Sequence, residues 1–69
     1  MKPPYKVMSE EYGNPAWRDG VFQVSRHRSL SAAFDKAKRY LTGAYVQSTW
    51  VVDTRNGKTW PVKPEVAYE

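Results

Sequence analysis

Few residues in this chain have the types and spacing that catalysis needs. The single histidine, His27, lies between Arg26 and Arg28, whose charge disfavours the imidazolium and which bring no orienting carboxylate with them. Ser25 and Ser29 stand close by, but Ser29 is better placed to cap a helix than to act as a nucleophile. The carboxylates Glu10, Glu11, Asp19, Asp35 and Asp53 fall in separate segments without ligand spacing, and there is no cysteine. The glycines, Gly13, Gly20, Gly43 and Gly57, are dispersed, so no phosphate-cradling loop is present. The expectation is a protein that is not an enzyme and has no metal, cofactor or small-molecule substrate.

Bases and aromatics remain, and both suit binding. Lys2, Lys6 and Arg18 balance Glu10, Glu11 and Asp19 over residues 1–25. From Arg26 to Lys63, eight bases stand against Asp35 and Asp53, which makes the second half the source of the net charge of +4. That footprint predicts an acidic partner, either nucleic acid or an acidic protein surface. The candidate contacts are the Arg26-His27-Arg28 run, the hairpin-tip bases Arg55 and Lys58, and the aromatics Trp17 and Tyr45. Phosphate contacts of this kind give salt-dependent affinity without reading sequence, so non-specific nucleic-acid contact is expected first. The alternative is a protein-interaction module, with aromatic and arginine anchors on an uncovered sheet face.

These residues need elements to position them. Tyr5-Lys6-Val7-Met8 reads as a short strand, followed by a polar, turn-rich connection to Asp19-Gly20. Val21 to Arg26 alternates as a second strand, with Phe22 and Val24 on one face. Leu30, Ala33, Phe34, Ala37 and Leu41 then recur at helical spacing behind Ser29, and Gly43 stands where a left-handed C-terminal residue is wanted. The spacing predicts one amphipathic helix over Ser29 to Thr42. Asp35 precedes Lys38 and Arg39 by three and four residues, so much of the helix's basic face is explained by local pairing and the helix dipole.

Tyr45 to Asp53 and Lys58 to Val62 predict two more strands joined around Asn56-Gly57. A two-residue loop would set Trp60 against Asp53 and mix apolar with polar partners. A three-residue Arg55-Asn56-Gly57 loop with a bulge at Gly57 pairs Val52 with Trp60 and Trp50 with Val62. That register gathers Val46, Trp50, Val52, Trp60 and Val62 on the helix side and makes the two indoles core rather than stacking surface. Asp53 is expected to hydrogen-bond within the turn it precedes. Pro61 cannot donate to a ladder, so the last strand should lie at an edge.

The fold expected is α+β, ordered β-β-α-β-β, with an antiparallel or mixed four-stranded sheet and the helix on one face. Phe22, Val24, Trp50, Val52 and Trp60 should meet Leu30, Phe34, Ala37 and Leu41. The other face, with Tyr45, Val51, Val21 and Met8, is left uncovered. Residues 1–69 read as one small domain with extended ends at 1–4 and 63–69, monomeric or weakly homodimeric. Three tryptophans, five tyrosines and two phenylalanines supply the burial that a cysteine-free chain of this size requires. A chain without cysteine suits a reducing, cytoplasmic setting. No apolar run reaches membrane-span length, and no apolar h-region follows the first residues, so neither a membrane nor a secretory signal is expected.

Two runs resemble known small proteins. Phe22-Gln23-Val24 followed by Ser29 to Ala37 resembles the strand-to-helix junction of phage-encoded inhibitors of host RNA polymerase. Asn56-Gly57-Lys58-Thr59-Trp60 is similar to hairpins of small anti-CRISPR proteins. This chain departs from them in its basic character and second hairpin. The resemblance implies an accessory protein docking on a larger machine, and it carries over no residue roles.

Overall fold

A capping serine and apolar residues at helical spacing produce the helix of this fold, α1 (Leu30–Tyr40). Ser29 has extended backbone angles and its hydroxyl accepts from the Ala32 amide at 3.2 Å, which satisfies one of the unpaired donors of the first turn. Lys38 and Arg39 occupy the last turn, at the negative end of the helix dipole. The computed structural model describes residues 2–16 and 18–62. Trp17 and the end expected to be extended at 63–69 lie outside the described residues.

Around the helix run β1 (Tyr5–Glu11), β2 (Gly20–His27), β3 (Val46–Asp53) and β4 (Thr59–Val62), in the order β-β-α-β-β. The sheet order is β2-β1-β3-β4 and every pairing is antiparallel. The fold class is therefore α+β, and the antiparallel alternative is the one realised. β2 and β3 flank β1 and run parallel to each other, so α1 is the crossover between them. β4, with Pro61, is an edge strand as its missing N–H requires. Pro3 and Pro4 are tied down before β1: Arg26 Nε donates to the Pro3 carbonyl at 3.0 Å and the Thr54 amide to the Pro4 carbonyl at 2.9 Å.

The core lies between α1 and one face of the sheet. Val7, Val51, Val62, Ala33 and Ala37 are buried, with Tyr5, Val24, Leu30, Phe34, Leu41 and Trp60 packed around them. The four residues expected to meet the sheet, Leu30, Phe34, Ala37 and Leu41, belong to this core together with Ala33. Val7 and Val51 are fully excluded from water, and each such valine stabilises by about 1.5 kcal/mol or more. Ser9, Glu11, Thr49 and Asp53 are buried beside them, and each is hydrogen-bonded.

Four expectations are corrected. The hairpin loop holds four residues, Thr54 to Gly57, because the Asp53 amide donates to the Lys58 carbonyl at 2.8 Å and the Gly57 amide returns to the Asp53 carbonyl at 2.8 Å. Gly57 closes it at φ +78°, a conformation that glycine reaches at little cost. Val51 therefore pairs with Trp60 and Thr49 with Val62, one residue out of the expected register. A slip of one exchanges the faces, so Trp50 and Val52 leave the helix side and Val51 enters it. The physical cause is the closeness of the helix. With Ala33 and Ala37 against the sheet, the Thr49 hydroxyl reaches the Ala37 carbonyl at 3.1 Å, leaving no room for an indole at the centre. Trp60 is accommodated nearer the edge, its ring centroid 6.3 Å from that of Tyr5 and 6.5 Å from that of Phe34. Tyr45 precedes its strand rather than starting it. Gly43 has no left-handed φ; a Cβ there would meet Val46 Cγ2 at 3.1 Å and the Tyr40 carbonyl at 3.3 Å, so close approach is its role.

Candidate binding surface on the open sheet face

Strand alternation, once the helix side is known, assigns the other face residue by residue. Thr49 touches α1 and Val51 joins the core, so Ser48, Trp50 and Val52 point away. Cross-strand partners share a face, and the pairings extend the surface across all four strands. Gln23, Met8, Trp50 and Pro61 form one row, and Arg26, Lys6, Val52 and Thr59 form the next. Val21, Glu10 and Ser48 make a third. Among the described residues no element covers this face. Trp50, Met8 and Val52 are half-buried by their neighbours, while Val21 is 53 % exposed.

The face is polarised. Lys6 and Arg26 occupy the row nearest the start of β1, and Glu10 the row nearest its end. The Glu10 carboxylate accepts from the Ser48 hydroxyl at 3.1 Å and from the Tyr12 phenol. That hydrogen bond, ahead of burial, raises the Tyr12 phenol above its ordinary value.

The basic end gathers several of the residues singled out from sequence. Arg26 Nη2 approaches Thr54 Oγ1 at 3.4 Å, which joins the end of β2 to the hairpin tip. Arg28 is exposed one residue beyond β2. Arg55 is committed locally. Its Nε and Nη2 engage the two Asp53 carboxylate oxygens at 3.0 and 2.9 Å, and Nη2 also donates to the Tyr5 hydroxyl at 2.9 Å. Its guanidinium lies 5.2 Å from the centre of the Tyr5 ring. The Arg55 side chain and, next, the Arg55 backbone amide hold the Asp53 carboxyl below the usual carboxylate range. Lys58 Nζ stands 5.3 Å from the centre of the Trp60 ring. The hairpin tip is thus basic but largely engaged in holding its own turn.

The remaining candidates are not brought to this place. His27 lies on the helix side opposite Tyr5, its Nε2 2.8 Å from the Ser25 hydroxyl. Tyr45 sits at the opposite end of the sheet, where its carbonyl accepts from the Tyr12 amide at 3.1 Å. Trp17 is outside the described residues. Conversely, sequence reasoning missed Lys6 and assigned Trp50 to the core. The signal for Trp50 lay in Asp53: an Asp that bonds within the turn it precedes, as the Arg55 amide to Asp53 Oδ1 contact at 2.9 Å does, starts the loop at Thr54 and sets the observed register.

Among the described residues no group of three or more His, Cys, Asp or Glu could hold a metal ion. No described helix is long and apolar enough to cross a membrane. No family model, curated protein or solved structure matches the chain.

Proposed function

We propose that this protein is a small non-catalytic binding module whose open sheet face takes single-stranded nucleic acid. The observation that carries the reading is the position of Trp50, in the middle of an uncovered face, between Met8 and Pro61 and one row from Lys6 and Arg26. Single-strand binders pair an aromatic stacking plane with bases that follow the phosphates, and stacking tolerates any base. Lys6, Arg26 and Arg28 supply the charge, and Trp50 the plane. Arg55 and Lys58 extend the same positive field from the tip. The contact is sequence-independent, since phosphates carry no sequence information. A cysteine-free chain fits a reducing cytoplasm, where such ligands are at hand.

The test is titration of labelled single-stranded and duplex DNA and RNA at roughly 50 and 200 mM salt, with indole fluorescence as a second signal. Single strands should bind best, weaken with salt and quench Trp50. Absence of binding to every probe at the lower salt overturns the reading. In that event Met8, Trp50, Val52 and Pro61, with Arg26 beside them, constitute an anchor for an acidic protein partner, as in accessory proteins that dock on a larger machine.

A further inference from the structure

A concavity lies at the far end of the sheet from the basic tip. It has a volume of about 310 Å³ and sits where the end of α1 meets β1 and β3, with Glu11, Arg39, Tyr40, Tyr45 and Val46 in its lining. Glu11 is only 6 % exposed. The hydroxyls of Ser9 and Tyr40 both donate to its Oε2, at 2.9 and 2.8 Å, and no described residue donates to Oε1. Among the described residues the one ion pair joins Arg55 to Asp53 at the other end, so no described cation forms an ion pair with this carboxylate. No buried side-chain nitrogen or oxygen lacks a hydrogen-bond partner among the described residues, so Oε1 is open to solvent, where a cation entering the cleft can donate a charge-assisted hydrogen bond to it.

The surroundings favour positive charge further. α1 points the negative end of its dipole here. Glu10 and Asp19 stand at the same end, Asp19 Oδ1 accepting from the Gly13 amide at 2.9 Å. Tyr40 and Tyr45 offer two phenol rings in the lining, the second 40 % exposed, and aromatic rings attract cations through their faces. Arg39, at the rim, opposes this.

We infer that this cleft binds a cationic nitrogen head group, an alkylammonium or a guanidinium, with Glu11 Oε1 as acceptor and Tyr40 and Tyr45 beside it. The site is separate from the nucleic-acid face and does not depend on it. Two sources carry that chemistry: a soluble polyamine and an arginine or lysine side chain of a partner protein.

The experiment is a backbone-amide NMR titration of the full chain with ethylguanidinium, spermidine and a short end-blocked arginine peptide, each against sodium chloride at matched ionic strength. Saturable shifts are expected at Gly43, Ala44, Tyr45 and Val46. Tighter binding of spermidine identifies the polyamine as source, and tighter binding of the peptide identifies a partner side chain. Tyr45→Ala, at an exposed position, should weaken binding about threefold or more by removing a cation–π partner. Glu11→Gln should abolish saturation, and Arg39→Ala should tighten binding. No saturable shift with any probe, or shifts unchanged in both Tyr45→Ala and Arg39→Ala, overturns the inference. Those two surface variants decide it even where Glu11→Gln fails to fold.

Discussion

Trp50 and Trp60 stand on opposite faces of one hairpin, and the same truncation has opposite consequences at the two. Trp60 packs against Tyr5 and Phe34 beside the core, so Trp60→Ala should lower the unfolding free energy by about 3 kcal/mol. Trp50 faces away from α1. Its replacement by alanine should cost far less stability but weaken single-strand binding about tenfold, the usual scale of one lost stacking contact. Equal stability losses at both positions, by urea titration, would contradict the face assignment. Asp53 gives a pH prediction of definite sign. Its carboxyl is held below the ordinary range by Arg55, so its contribution is present above that range and disappears as pH falls through the folded-state value. The urea midpoint of the wild type should therefore drop on acidification more than that of Asp53→Asn, whose side chain does not titrate.

At the scale of elements, the hairpin loop decides which face each residue occupies. Gly57 sits at φ +78° with nothing near its missing Cβ, so the strain of a substitution there is purely conformational. Gly57→Ala should cost about 1–2 kcal/mol in thermal or urea unfolding, and Gly57→Asn less, since asparagine tolerates this region better. The helix was legible because its determinants are local: a serine cap and apolar residues three and four apart. The edge position of β4 was legible for the same reason, since Pro61 lacks a donor wherever it lies. The register was not. Apolar patterning favoured Trp50 and Val52 as the inward pair, whereas the structure buries Thr49 and Asp53 and satisfies them through the Ala37 carbonyl and the Arg55 guanidinium. The Ala37 carbonyl is supplied by the folded state, while Arg55 stands two residues from Asp53 and was the local signal.

At the scale of the whole molecule, Lys6, Arg26, Arg28 and Arg55 stand toward one end of the sheet, with Asp53 among them, and Glu10, Glu11 and Asp19 toward the other, with Arg39 among them. Replacing Lys6 and Arg26 together by glutamine should reduce the slope of log affinity against log salt by about 1.4, two phosphate contacts on a single strand. Trp50→Ala should leave that slope unchanged, so the pair of measurements separates charge from stacking. A slope unaltered by the double substitution would move the phosphate contacts elsewhere. The amino-acid sequence by itself determined the element order, the helix and its inward residues, the edge strand and the basic second half, because each follows from neighbours along the chain or from composition. Only the tertiary structure decided which of Trp50 and Trp60 packs against the core, that Lys6 stands beside Arg26, and that Glu11 lines a cleft with Tyr40 and Tyr45. Those facts depend on how closely two alanines let the helix approach the sheet, and on which end of each strand meets which, distances that no spacing along the chain encodes.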